Sequence, residues 1–450
     1  MSTPCIHSLQ AQLPLHQVLT DSASCLAYSY DNGRHRAMPL AVVLPENTQQ
    51  VQMIVQTCAN HGMPITARGR GTGTPGGAVP TPQGLVISFE RMERIIQFCP
   101  ESRYILVEPG VLNQNVQNLA KTQNLFWPVD PSSQAFSCVG GNLGYNAGGP
   151  HTLKYGSARD NVLYLEAVTG TGEFIKTGFA VTKAASGYDL TRLIIGSEGT
   201  LALITKACLK LSPRAEATTL LQAWFASEAD ACHCVEALMS QAITPAALEF
   251  MDQSCLGLLR KHSTLNIPSQ AASLLLIELD GLKEQLPFYI SQMRPHLSQA
   301  IEINEVKNTQ EAWLARKTLS PILRSLAPHK INEDVVVPVH ELPHFLTWLH
   351  EITAQANILN VNFGHAGNGN LHVNLLPQNS MELAKAENLL TAIFEKVIEL
   401  GGTLSGEHGI GLDKKPFMAK AFTPASLDLM RKIKQQFDPK NILNPDKLLP

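Results

Sequence analysis

Val139-Gly-Gly-Asn-Leu-Gly-Tyr-Asn-Ala-Gly-Gly149 is the stretch on which the reading of this chain turns. Glycine at that density strips Cβ atoms from a run of backbone, so a flat ring or a phosphate can lie directly against it. A second run stands upstream, Arg68-Gly-Arg-Gly-Thr-Gly-Thr-Pro-Gly-Gly77, just after the short strand pattern Ile65-Thr-Ala67. Its alternating glycines let successive backbone N–H groups converge on one anion, and Thr72 and Thr74 can add hydroxyl donors. No Gly-Lys-Ser/Thr follows, so it is not a P-loop, and no GxGxxG helix opens from it. Alone, the run also reads as a flexible turn. Two such loops separated by a βα unit suit the two ends of a pyrophosphate that carries a bulky ring system.

Composition narrows the classes. A chain of 450 residues exceeds one ordinary core, so two or three domains are expected. Charged residues make up 16% and apolar residues 44%, which fits a large, well-buried globular protein. A net charge of −3 provides no electrostatic footprint for nucleic acid. No apolar run approaches the ~18 residues of a membrane span. The first twenty residues lack the features of a signal or transit peptide. Nine scattered cysteines, an odd number, argue against a disulfide framework and for a reducing compartment, with cytoplasm as the expected location. Cys232-His233-Cys234 suggests zinc, but it sits in an unbroken helical pattern over 228–239 with no second ligand pair, so helix packing is the expected role.

Along the chain, residues 1–37 read as a helical entry segment that ends in the turn-rich Tyr30-Asp-Asn-Gly-Arg34. Leu40–Leu44 reads as a strand, Thr48 as the cap of a helix over 49–61, and 69–77 and 140–149 as loops. Beyond Pro213, amphipathic helices alternate with apolar strands such as 271–279, which predicts a separate α+β domain. The turn-laden Phe437-Asp-Pro-Lys-Asn-Ile-Leu-Asn-Pro-Asp446 is expected to pack back on the first domain.

The chemistry gathers late in the chain. Asn362-Phe-Gly-His-Ala-Gly-Asn-Gly-Asn-Leu-His-Val-Asn374 and Gly401-Gly-Thr-Leu-Ser-Gly-Glu-His-Gly409 bring together His365, His372, Glu407 and His408. Two imidazoles and a carboxylate make a plausible divalent-metal site, with His408 left over as a base. A strand over 370–375 would put His372 and Asn374 on one face. The surrounding glycines would let a substrate approach closely. The competing reading is that these are ordinary loop or core histidines, since the chain has 15. The combination favours redox or hydrolytic chemistry on a small anion over a binding module.

Together these motifs resemble the FAD-binding oxidoreductases of the vanillyl-alcohol-oxidase / para-cresol-methylhydroxylase superfamily. Within it they are similar to the branch of glycolate oxidase flavin subunits, D-lactate dehydrogenases and D-2-hydroxyglutarate dehydrogenases. The resemblance runs from about residue 38 to the C-terminus and also rests on Gly196-Ser-Glu-Gly-Thr200. It implies an α+β fold: a two-subdomain FAD-binding domain of the vanillyl-alcohol-oxidase type over 38–213, an α+β substrate (cap) domain over 214–410, and a segment over 411–450 returning to the FAD domain. It implies that Arg68, Gly69, Arg70, Gly71, Thr72, Gly73, Thr74, Gly76 and Gly77 bind the FAD pyrophosphate. Pro131, Ser133, Gly140, Gly141, Asn142, Asn146, Ala147, Gly148, Gly149, Tyr155 and Gly156 would line the isoalloxazine and ribityl chain. Glu198 and Gly199 would also bind FAD, the strand after Gly199, around Ile204, would contact the adenine end, and Asn444 would sit near the flavin. Many relatives have Leu-Ser-Gly-Gly where this chain has Thr74-Pro75-Gly76-Gly77, and Pro75 removes one N–H from the nest. No histidine lies in the first loop, so noncovalent FAD is expected.

The same resemblance implies a divalent metal, with zinc expected, on His365, His372 and Glu407, and His408 as the catalytic base. Arg316, Ser320, Lys330 and Asn374 would bind substrate. Arg316 can grip a carboxylate bidentately and Lys330 supplies a point charge, while the spacing at Ser320 differs by one residue from the hydroxyglutarate enzymes. For these residues the competing reading is a solvated helix face. His340, His344 and His350 fall in a Pro-interrupted segment and are left out. The implied reaction is hydride transfer from a D-2-hydroxy acid to FAD, with electrons passing to a quinone or electron-transfer flavoprotein. A homodimer and a peripheral association with the inner membrane are both compatible with it. The alternatives are the flavin subunit of a multi-subunit glycolate oxidase and a metal-independent FAD-binding protein. A metallohydrolase leaves both glycine loops unexplained.

Overall fold

Ala41–Val43, Leu85–Ser88 and Ile65–Arg68 run parallel in that order, and Val18–Leu19 adds an antiparallel edge to complete a four-stranded sheet. Ala41–Val43 and Leu85–Ser88 are buried throughout, as continuous apolar runs in a parallel sheet require. The helix Thr48–His61 supplies Val51, Ile54, Val55 and Cys58 to the core beneath them. Its cap is Asn47, whose side chain accepts from Gln50 N at 2.9 Å, rather than Thr48 one residue later. Both are good capping types, and the one with extended backbone takes the position. A second sheet, all antiparallel, is ordered Ile95–Cys99, Tyr104–Val107, Ala202–Lys210, Val162–Thr169, Phe174–Lys176.

These sheets belong to one compact unit, Met1–Gly149 with Gly156–Arg214 and Glu407–Pro450. The other unit is Pro150–Tyr155 with Ala215–Gly406. The computed structural model describes residues 2–450. The N-terminal segment therefore counts with the first unit, starting with the helix Ser2–Gln12. Pro150–Tyr155, expected with that unit, counts with the other, and Glu407–Ile410 counts with the first. The C-terminal tail is tied into the first unit. Asn444 Nδ2 donates to the Gly77 and Glu198 carbonyls at 2.9 and 2.8 Å, and Lys447 Nζ donates to Val79 O at 2.8 Å.

The second unit is built on a seven-stranded antiparallel sheet. Its order is Glu302–Glu305, Ala217–Phe225, Ser273–Gly281, Ala247–Met251, Asn360–Gly364, Asn370–Leu375, Ile331–Val336. The helices Gln253–His262 and Thr309–Leu326 join Leu220, Trp224, Met251, Leu274 and Leu276 in one core. Each such side chain, fully buried, stabilises by about 1.5–3 kcal/mol. Cys232 and Cys234 lie buried in the helix Glu228–Met239, where burial pushes both thiols up, as packing residues behave. Among the described residues, no helix is long and apolar enough to cross a membrane.

Candidate active site

In the second unit, the Gly-His-Ala-Gly-Asn-Gly segment is a tight hairpin. Asn360–Gly364 pairs with Asn370–Leu375, so that Phe363 stands opposite His372. The turn closes through a short 3-10 segment, Ala366–Asn368, and Gly369 at φ +70°. A Cβ on Gly369 would meet Val337 O at 1.9 Å, and one on Gly364 would meet Asn370 O at 2.3 Å. These glycines therefore serve the chain's own close approaches, which differs from the expectation that they make room for a substrate.

The hairpin's product is a pair of buried imidazoles. The rings of His365 and His372 lie 5.5 Å apart, edge to face, and the two residues are only 8% and 7% exposed. The His372 ring also lies 5.6 Å from that of Phe363, and the guanidinium of Arg316 sits 4.3 Å over Phe363. Closing the circle is Glu249, on the strand Ala247–Met251, which is hydrogen-bonded to His365 Nδ1 and accepts from Arg316 Nε at 2.8 Å. Burial alone would raise the Glu249 carboxyl, but His365, Arg316 and His372 outweigh it and hold it at about 2.

Arg316 shares the helix Thr309–Leu326 with Trp313 and Ser320, at spacings that put all three on one face. Trp313 Nε1 donates to Glu278 at 2.9 Å, and Lys330 Nζ donates to Ser320 Oγ at 3.2 Å. Burial, with Arg324 nearby, lowers Lys330 to about 8. Asn374 shares the strand of His372, but its amide is committed to the sheet. Nδ2 donates to Val361 O and His372 O, and Oδ1 accepts from Asn332 at 2.7 Å. Glu249 escaped the sequence reading; the signal available was one carboxylate inside the apolar run Ala-Leu-Glu-Phe-Met. A second acid–imidazole group, Glu228, Asp252 and His350, was also left out. There Asp252 caps the helix Gln253–His262 and accepts from Asn362 N, while His350 pairs with Glu228 at 2.7 Å.

The first unit carries the two glycine loops. Asp31 bonds the N–H groups of Gly33 and Gly76 at 2.8 and 2.9 Å, so the Gly76 N–H is taken up within the protein. Arg68 is buried, donating to Tyr30 O at 2.7 Å and to Ala27 O at 3.3 Å. Arg70 lies 3.8 Å from Glu93. A Cβ on Gly69 would meet Cys138 Sγ at 2.5 Å. The second loop begins as a helical turn, Val139–Gly144, because Val139, Asn142 and Leu143 are drawn into the core. Asn142 spends its amide on Asn113 and Ser137. Asn146, at φ +53°, accepts from Arg159 N at 2.8 Å. Ile204 lies at a β-bulge in the strand Ala202–Lys210. Gly141, like Gly144 in the same turn, is different. The nearest atom to a Cβ there is Cys138 Sγ at 3.6 Å, so nothing in the protein demands glycine at this position. A glycine in a helical turn without an internal reason is what close approach of a flat ligand would require, and the cradle fits a flavin.

His408 and Glu407 belong to this unit, with His408 Nε2 3.8 Å from Glu407 Oε1. The backbone that follows is clamped by Glu198, itself at φ +54°. Its Oε1 accepts from Ile410 N at 2.6 Å and its Oε2 from Gly411 N at 2.8 Å. Burial raises the Glu198 carboxyl to about 7, against those two N–H groups and the charges of Lys447 and Lys414. The folded chain therefore holds a proton there that the unfolded chain releases near 4.5. This contribution is greatest below 4.5 and is lost as pH rises through about 7. A separation of that size is worth up to about 3 kcal/mol. Thermal melts of flavin-free protein at pH 5 and pH 8 should thus show a smaller pH dependence in Glu198→Gln than in wild type. Equal slopes would contradict this account of Glu198.

A fold of two antiparallel-rich units, one with a glycine cradle and one with a buried imidazole pair beside an arginine, defines a flavin-linked oxidoreductase. The chain belongs to the FAD-linked oxidase family: residues 39–178 match the "FAD binding domain" and residues 214–448 match "FAD linked oxidases, C-terminal domain". It is 38% identical to a glycolate oxidase subunit, GlcD, of Bacillus subtilis, over 95% of this chain and 93% of that one. It is 34% identical to a D-lactate dehydrogenase of Anaerostipes hadrus, over 92% of this chain and 90% of the other. In fold it is similar to p-cresol methylhydroxylase, with a TM-score of 0.82 at 19% identity, covering 98% of this chain and 96% of that structure. The protein is an FAD-dependent oxidoreductase.

Proposed function

We propose that this oxidoreductase converts a D-2-hydroxy acid of the lactate, glycolate or hydroxyglutarate class to the 2-oxo acid. What supports the reading above all is the buried His365–His372 pair set beside Arg316. When bound, FAD takes up the α-hydrogen as hydride, and a divalent cation acidifies the substrate hydroxyl, zinc suiting a donor set of two imidazoles and a carboxylate. His365 and His372 hold that cation, with Glu407 the third ligand that the family resemblance assigns.

Arg316, its Nε held by Glu249, offers its terminal nitrogens side by side to the substrate carboxylate. Lys330 and Ser320, already hydrogen-bonded, make the polar wall for the rest of the substrate. Asn374 serves by fixing the strand of His372, through its bonds to the Val361 carbonyl of the neighbouring strand and to the His372 carbonyl of its own. His408 takes the hydroxyl proton on a ring nitrogen and must be neutral to do so. The two loops would hold the flavin noncovalently, and a quinone or an electron-transfer flavoprotein would serve as electron acceptor.

A second reading is favoured by the 38% identity to a named oxidase subunit: the same chemistry, expressed only in the presence of partner chains. Both are tested by dye reduction with purified protein across D- and L-2-hydroxy acids, with and without candidate partners. The proposal expects a yellow protein that turns over one D-acid alone. Turnover only with partners favours the second reading. Near-equal rates with D- and L-lactate would defeat the stereochemistry, and a colourless protein that cannot take up FAD would defeat both readings.

A further inference from the structure

We propose that Glu249 is a positioning residue that sets the metal-binding nitrogen of His365 and the orientation of Arg316 at once. The inference rests on the reading of His365 and His372 as metal ligands. Glu249 is wholly buried at the middle of a wholly buried strand, where an unpaired carboxylate would cost several kcal/mol. It is partnered on both sides, by His365 Nδ1 and by Arg316 Nε at 2.8 Å. A carboxylate can only accept, so Nδ1 carries the hydrogen, and in the neutral ring that would meet a cation the lone pair is on Nε2. That fixes both the tautomer and the ring plane that a cation would meet. On the other side, the bond to Nε holds the guanidinium over the Phe363 ring, and Phe363 in turn abuts His372. One carboxylate therefore serves the place that would hold the cation and the place that would hold the substrate's carboxylate. A neutral amide of the same size could accept from one partner but would present its NH₂ to the other.

The test uses the full chain loaded with FAD. Zinc affinity is measured by competition with a chromophoric chelator, and kcat and KM with the D-acid that the wild type oxidises. In Glu249→Gln, zinc should bind about 10–100-fold more weakly, the range typical of losing a carboxylate behind a ligating histidine. KM should rise, and FAD content should be unchanged. Excess zinc should restore kcat but leave KM high, because only the Arg316 defect then remains. Glu249→Asp, which keeps the charge and shortens its reach, should fall between the two, and it carries the same comparison if the glutamine variant does not fold. Wild-type zinc affinity or wild-type KM in a folded, FAD-loaded variant would overturn the proposal. A wild type that is fully active after its divalent ions are removed would instead overturn the metal reading beneath it.

Discussion

Replacing His372 with alanine should abolish turnover while the protein stays yellow. His372 lies on the strand Asn370–Leu375 of the second unit, and the glycine loops lie in the first, so flavin binding has no need of it. Removing one of two adjacent imidazoles leaves the other without the partner that makes a chelating pair. Elemental analysis should therefore show the divalent ion gone, with flavin absorbance per chain unchanged. His408→Ala is the informative contrast. It should keep both flavin and metal and slow turnover by on the order of 10²–10⁴, the usual loss for a general base. A His372→Ala enzyme as fast as wild type would remove the metal from the mechanism, and a His408→Ala enzyme as fast as wild type would remove the base.

Gly141→Val should empty the flavin site without unfolding the protein. A Cβ at position 141 meets nothing closer than Cys138 Sγ at 3.6 Å, and glycine is a poorer helix former than valine, both being below alanine by up to about 1 kcal/mol. The flavin-free variant should therefore melt no lower than flavin-free wild type, yet fail to take up FAD on reconstitution. Gly140 provides the internal control. A Cβ there would meet Pro109 Cβ at 2.6 Å, so Gly140→Ala should lower the melting temperature of flavin-free protein too, by strain of about 1–3 kcal/mol. A Gly141→Val protein that binds FAD normally would remove the cradle argument.

The two-unit architecture was legible because long motifs in the right order carry it, and the strands Ala41–Val43 and Ile65–Arg68 and the helix Thr48–His61 were visible as apolar runs between turn residues. The imidazole pair was legible as two histidines in one glycine-dense stretch, without the hairpin that joins them. What the glycines do was not. Gly76 and Gly369 have positive φ and serve Asp31 and Val337, partners that a linear pattern does not name. The loop at 140–149 hid a helical turn because its glycines lower local propensity, while the burial of Val139 and Leu143 decides the structure. Glu249 stayed hidden for a related reason: its partners lie 67 and 116 positions away, and period-two alternation makes a lone charge in a strand look solvent-facing. For Asn374 the sequence showed the shared strand with His372 but not the bonds its amide makes within the sheet.

The bond from Asn444 Nδ2 to the Gly77 carbonyl joins residues 367 positions apart, and the chain passes through all of Ala215–Gly406 between them. On the ribosome, the two glycine loops emerge early and stay without this contact until Asn444 has left the exit tunnel. Contacts of such long range are formed late, after their loop-closure entropy has been met. The unit that the nascent chain begins first is therefore completed only after all of Ala215–Gly406 has been made, so the first unit to be started is the last to be finished in the order of synthesis.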